Sequence, residues 1–328
     1  MHGRDLSSLV GNLRAFEAWM RTVHVFCVLI YPLLMIGLRI NFSCMWSIKD
    51  ELAFFNDAIR ISSIESLMTR VCGRYYAFQP KNDSTKHVSV PNSRNALIGT
   101  KTEKWCKELL SQIARDNNLH AVNGVICEEI GLSRMSPADL AFCTSEASIQ
   151  RPENIKLIFE IKMGIVNNYL YDDNFNFKFC GDYNTHKGTP SLLRSDSMLK
   201  AIGKSINLRV DSSKGKRIPI VILGNSPIAS SYVKKVDCLK KSGVIQKFIS
   251  LYPNPTERDF ISSTPDKGFE TYDSPSKIEK YLSRLLNSEM NYFSTMMSNR
   301  DLGHIISMAS TESTDELKGQ RFIELLNL

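Results

Sequence analysis

Two apolar runs that read as β-strands each carry an acid, and that combination limits what this chain can fold into more than any other feature. The first is Ser136-Pro137-Ala138-Asp139-Leu140-Ala141-Phe142. The second, Lys156-Leu157-Ile158-Phe159-Glu160-Ile161-Lys162, ends on a lysine. Side chains alternate faces along a strand, so Ile158, Glu160 and Lys162 share one side while Leu157, Phe159, Ile161 and Met163 line the other. A buried charge without compensation is expensive, so Asp139 requires a partner, a metal or an open cleft. Neighbouring strands lie ~4.8 Å apart, which lets Asp139 and Glu160 hold one cation with Lys162 beside it.

Glu-x-Lys alone is a cheap pattern, and the chain repeats it at Glu316-Leu317-Lys318 in a polar tail with no flanking strand. Taken alone, Glu160 and Lys162 fit the wet face of a half-exposed strand equally well. Context separates the two cases: a helix, a strand, the Asp139 strand and the Glu160 strand follow in order.

In that order the residues resemble the PD-(D/E)xK nucleases, and among them type II restriction endonucleases, over about residues 95 to 235. The family's proline and aspartate are usually adjacent; here Ala138 separates Pro137 from Asp139. The resemblance implies an α/β fold with a restriction-endonuclease-like core (αβββαβ), a mixed central β-sheet flanked by helices. It implies that Asp139 and Glu160 bind Mg²⁺ and that Lys162 orients or activates the attacking water. It further implies sequence-specific hydrolysis of double-stranded DNA by a homodimer, a cognate DNA methyltransferase acting on the same site, and a bacterial or archaeal cytoplasmic setting. Two other readings stay open: a repair or recombination nuclease of the same fold acting on branched or damaged DNA, and a catalytically silent DNA-binding or membrane-tethered protein.

Elementary chemistry supports each role. Mg²⁺ takes oxygen ligands and keeps several waters, so two carboxylates and a phosphate suffice. It lowers the pKa of a bound water, and a nearby ammonium favours the resulting hydroxide and contacts the phosphate. In residues 95–114, Trp105, Leu109, Ile113 and Ala114 recur at helical intervals. In many relatives a glutamate on the helix before the sheet joins the metal site. Glu103 matches that position better than Glu108, and a solvent-facing Glu103 paired with Lys107 is the alternative.

Downstream, Asp196 or Ser195 caps a helix whose Lys200 and Lys204 share one face. From Arg194 to Lys247 the chain carries twelve Lys and Arg against three Asp, a surplus exceeding the net +7 of the whole, so the basic character is local and suits a phosphate backbone. Gly203-Lys204-Ser205 is no phosphate loop: Met198 stands where the first glycine is required, so no ATP is expected. Zinc and serine-hydrolase motifs are absent from the sequence.

The segment 167–193 reads as an insertion between Lys162 and the basic helix. In it Phe175, Phe177 and Phe179 alternate like one strand face. Asn174, Asn176, Lys178, Asn184 and Arg194 are its candidate base contacts.

The remaining chain divides into 1–44, a hydrophobic extension; 45–94, a helical region and loop; 95–250, the core with its insertion; and 251–328, an edge strand with helices. The uncharged stretch 22–38 follows Arg4, Arg14 and Arg21 and is at the lower limit for a membrane span; it could serve as a short anchor or signal sequence, but a misassigned start, with Met45 as the true one, or a dispensable extension is favoured over a working anchor. From Met45, Ile48, Leu52, Phe55, Ile59 and Leu67 keep helical spacing. The eight scattered cysteines suit free thiols in a reducing cytoplasm.

Overall fold

Largely apolar runs at 138–143, 155–162 and 220–224, buried on both faces, build the centre of the protein, a six-stranded mixed sheet covered by helices on both faces. The computed structural model describes residues 45–251, 262–288, 290, 292 and 297–326. The stretch 22–38, Met1 as a start, and Cys27 and Cys44 lie outside the described residues.

The described chain begins with helices α1 (Ile48–Ala58) and α2 (Ile64–Leu67), then strands β1 (Thr69–Val71) and β2 (Arg74–Tyr76). Helix α3 (Asn92–Asp116) leads into β3 (His120–Val125), β4 (Ala138–Cys143) and β5 (Ile155–Lys162). After β6 (Asn168–Tyr171) and β7 (Phe177–Gly181) come α4 (Ser195–Asp211), β8 (Ile220–Gly224), α5 (Val233–Lys241), β9 (Lys247–Ser250) and β10 (Phe269–Thr271). Helices α6 (Pro275–Leu286), α7 (Asn299–Ala309) and α8 (Asp315–Leu326) follow. The central order is β10-β9-β8-β5-β4-β3. Strands β3, β4 and β5 form an antiparallel meander, and β5, β8, β9 and β10 run parallel, with α4 and α5 in the crossovers that parallel pairing requires.

The alternation expected for β5 holds. Leu157, Phe159, Ile161 and Met163 join the core beneath α1, α3 and α6, whereas Ile158 faces the core beneath α4 and α5. Asp196 lies in the first turn of α4 rather than at its cap, which is Arg194. The second Glu-x-Lys, Glu316 to Lys318, sits on the exposed helix α8, where Lys318 pairs with Asp315.

The region 45–94 departs from a helix-and-loop reading. Helix α1 ends at Ala58, Leu67 belongs to α2, and β1 and β2 form a hairpin. Its two-residue turn has Cys72 at φ 49° and Gly73 at φ 81°, the twist that joins short antiparallel strands and that glycine accepts freely. Strand β2 also pairs with β6, so the segment 167–193 completes a second sheet, β1-β2-β6-β7. Phe175 does not share a strand face with Phe177: it occupies the β6–β7 turn at φ 61° and is 79% exposed, while Phe177 is buried against Phe55.

One buried acid ties this second sheet to α1. Glu51 accepts hydrogen bonds from Val166 N (2.8 Å), Asn167 N (3.1 Å), Asn167 Nδ2 (3.1 Å), Tyr169 Oη (2.8 Å) and Trp46 Nε1 (3.2 Å). Burial pushes its carboxyl above the usual range, although every one of these donors favours the charged form.

His186 is a second buried titratable group. Its ring stacks on Phe78 at 4.1 Å, Nε2 lies 2.9 Å from the Val166 carbonyl, and Nδ1 accepts from Gly188 N at 3.1 Å. That pattern holds the neutral Nε2–H tautomer. Burial pushes the imidazole down to about 4, helped by Arg94 and Lys81 and opposed by the Val166 hydrogen bond and Asp182. An unfolded imidazole titrates near ~6.5, so its contribution is complete above that pH and is lost as pH falls toward 4, roughly 3 kcal/mol in all. Urea unfolding at pH 7 and pH 4.5 should therefore show a smaller acid-induced loss of stability for His186→Gln than for the parent. Equal losses would refute this account.

Candidate functional site

The pairing of β4 with β5 sets Leu140 opposite Phe159 and Ala141 opposite Ile158. One residue further, the same register places Asp139 across from Glu160 on one face. Asp139 Oδ2 accepts the Ile161 N–H at 2.7 Å, which fixes its carboxylate over the end of β5.

Lys162 turns back onto this pair. Its Nζ lies 2.5 Å from Glu160 Oε1, 3.7 Å from Asp139 Oδ2 and 3.2 Å from the Ile161 carbonyl. The structure thus brings Asp139, Glu160 and Lys162 together.

It also adds Lys204. Placed by sequence among residues that would touch a phosphate backbone, Lys204 instead reaches from α4 into the acid pair. Its Nζ is 2.6 Å from Glu160 Oε2, 3.2 Å from Asp139 Oδ1 and 2.7 Å from the Pro137 carbonyl. Desolvation works against its charge, but Asp139 and Glu160 outweigh it and hold the ammonium above its ordinary value. The cause of the placement is helical phase. Met198, Ala201, Ser205 and Leu208 seat α4 on the sheet, so Lys204 lies at the edge of the buried stripe while Lys200, one turn earlier, stays exposed.

Glu103 on α3 is half-buried, and Glu108 is exposed. Burial, then the charge of Asp139, pushes the Glu103 carboxyl above its usual range, with Lys162 and Lys204 pulling the other way. Among the described residues no ion pair joins Glu103 to Lys107.

Among the described residues no three His, Cys, Asp or Glu side chains stand close enough together to hold a metal ion. Two carboxylates do converge, and the oxygens around them suit a hard cation. Glu160 Oε2 is buried, and its one close charged neighbour is the Lys204 ammonium at 2.6 Å. The Ile161 and Pro137 carbonyls already face an ammonium. An all-oxygen set with few protein ligands fits Mg²⁺, which retains water, and lacks the nitrogen and sulfur favoured by zinc.

A clasp absent from the sequence reading holds the end of β5. Asn225 bridges Gly164, accepting its N–H at 3.0 Å and donating Nδ2 to its carbonyl at 2.7 Å. Ser191 Oγ donates to the Lys162 carbonyl and accepts from Asn225 N at 3.1 Å. Asn123 Nδ2 joins the Glu103 carbonyl (3.2 Å) to that of Asp139 (3.0 Å). The available signal was Asn225-Ser226 directly after a buried parallel strand, where binding sites form in open α/β sheets.

A cleft of about 900 Å³ borders Lys162 and is lined by Asn95, Lys187, Arg194 and Lys200. Arg194 is paired there with Asp196 at 2.7 Å. The other candidate base contacts do not line this cleft. Asn174 and Asn176 fold their backbone N–H groups onto Asp172, Lys178 pairs with Asp172 at 2.6 Å, and the Asn184 N–H bonds Asp182, so these residues build their own turns.

Nor is the basic run from Arg194 to Lys247 one surface. Arg209 is buried and donates to the Val244, Gly215 and Ile218 carbonyls, Lys247 is buried against Glu270, and Lys214 pairs with Glu129.

Comparison with family models, curated proteins and solved structures finds no match to this chain. The class defined by the structure is an α/β protein with a mixed central sheet flanked by helices. Among the described residues no helix is long and apolar enough to cross a membrane, and the six described cysteines are free thiols.

Proposed function

We propose that this chain is a Mg²⁺-dependent endonuclease of the PD-(D/E)xK kind, with a restriction-endonuclease-like core, that hydrolyses phosphodiester bonds in duplex DNA. One observation carries the reading: Asp139, Glu160 and Lys162 meet on one sheet face beside a basic cleft.

Asp139 and Glu160 would hold the ion, with Glu103 close enough to feel their charge. Bound Mg²⁺ supplies charge neutralisation at the phosphate and a water of lowered pKa. Lys162 donates its ammonium hydrogens to oxygen where negative charge develops. Lys187 and Lys200 face the cleft and attract the phosphates of the backbone. Arg194 and the Asn225 clasp position the turn and the strand end around them. The same proposal includes a homodimer cutting both strands, a partner methyltransferase and a cytoplasmic setting.

The test is incubation of the full chain with unmethylated plasmid DNA in Mg²⁺ and in EDTA. Discrete, metal-dependent fragments support it. Folded protein that leaves every intact duplex uncut but cleaves branched DNA would replace it with the repair reading.

Lys204 gives a second prediction. Its ammonium competes with a cation for the same carboxylates, so Lys204→Ala should bind Ca²⁺, a non-cleaving stand-in, about tenfold more tightly by calorimetry. Weaker binding would show that Lys204 instead supports the site.

A further inference from the structure

A second concentration of positive charge lies away from the acid pair. Strands β5, β8 and β9 are parallel, and Glu160 and Lys162 stand toward the carboxyl end of β5. Lys247 opens β9 at the opposite, amino end, where a pocket of about 790 Å³ forms between α6, the end of α5 and the turn before β10. That volume is typical of a small-molecule site.

Four separate segments contribute cationic residues to its lining. Lys280 and Arg284 are four apart on the exposed face of α6, and Tyr281 and Leu285, at the edge of its buried stripe, line the pocket beside them. Lys240 comes from α5, Lys267 from the turn before β10, and Lys216 from the loop before β8. Glu270 is the one acid in this lining, and it is already paired with the buried Lys247. Lys247 also lies over the Tyr281 ring at 4.4 Å and within 3.4 Å of Tyr272 Oη.

Among the described residues, Lys267, Lys280 and Arg284 have no acidic partner. Desolvation lowers the Lys247 pKa, and the charges of Lys240 and Arg284 push the same way against Glu270, so the positive field reaches the pocket floor. Like charges drawn around a concave surface repel one another, and a compact multivalent anion relieves that repulsion. A single carboxylate would neutralise only a fraction of it.

We infer that this pocket binds a polyphosphate group, carried either by a nucleotide or by free inorganic polyphosphate, at a site separate from the Asp139–Glu160 pair. The inference does not depend on the nuclease reading.

The test is calorimetric titration of the full chain with sodium tripolyphosphate and with ATP, in the absence of divalent ions and with sulfate at equal ionic strength as control. Tripolyphosphate should bind well above sulfate. The charge reversals Lys280→Glu and Arg284→Glu lie on exposed positions of α6, and together they should weaken binding about a hundredfold. Lys200→Glu, in the other cleft, should leave it unchanged. Tighter binding of ATP than of tripolyphosphate identifies a nucleotide as the source, and equal binding identifies the phosphate chain alone. Overturning results are binding no stronger than sulfate, binding insensitive to the α6 reversals, or binding lost with Lys200→Glu instead. Loss of duplex DNA binding in the α6 variant without tripolyphosphate binding in the parent would also overturn it, by making the pocket a nucleic-acid surface.

Discussion

On the proposed nuclease function, Glu160→Gln should lower Mg²⁺-dependent cleavage of duplex DNA by about a thousandfold or more while leaving the chain folded. The side chain is the most buried of the cluster at 7% exposure, and it meets both lysines, Oε1 facing Lys162 and Oε2 facing Lys204. Glutamine keeps the volume and one acceptor but removes the charge on which a hard cation depends. Glu160→Ala should do the same to cleavage and also cost about 3 kcal/mol of stability, because two part-buried ammoniums then share Asp139 alone. Plasmid nicking under single-turnover conditions, beside urea unfolding of each variant, separates the two effects. Parent-level cleavage by a folded Glu160→Gln protein would remove the acid pair from the mechanism.

The largest expected loss of stability lies elsewhere, at Glu51. In Glu51→Ala five donors lose their acceptor, among them the buried N–H groups of Val166 and Asn167 and the Tyr169 hydroxyl. Each unsatisfied group costs about 1–3 kcal/mol, offset in part because a buried charge is no longer desolvated, so a net loss of about 3–5 kcal/mol is expected in urea unfolding. Glu51→Gln should lose less, since its amide oxygen still accepts. The segment that Glu51 holds begins four residues after Lys162, so cleavage by the alanine variant should fall even at temperatures where it remains folded. Stability within about 1 kcal/mol of the parent would show that these donors find water or other partners.

What the sequence made legible follows from how local each signal is. Asp139, Glu160 and Lys162 could be read because strand alternation is a two-residue rule and the acids break an apolar run. Helix α3 could be read from Trp105, Leu109 and Ile113 in the same way, and α6 from Ile278 and Leu282. Lys204 was visible as a cation but not as a neighbour of Glu160, because the contact depends on how α4 rolls against the sheet. Glu51 carried a fainter sign: it falls between Ile48 and Phe55 on the face that α1 buries, where a glutamate is out of place. Strands β1 and β2 are three residues each, too short for any period to show. The basic run misled because closeness in sequence is not closeness in space. Arg209 closes the α4–β8 connection internally, whereas Lys240 and Arg284 line one pocket from opposite sides of a long gap in the chain.

The pairing of two carboxylates with two ammoniums has a further consequence for the chain's own maturation. Many clustered acids depend on an ion to relieve their repulsion before the surrounding strands can close. Here α4 delivers the second counter-charge as it docks, so the newly made protein can finish folding with no ion in hand. If the proposed Mg²⁺ site is real, acquisition of the ion is thereby uncoupled from birth of the fold, and depletion of the ion would leave an intact molecule waiting rather than an unfolded one to be cleared.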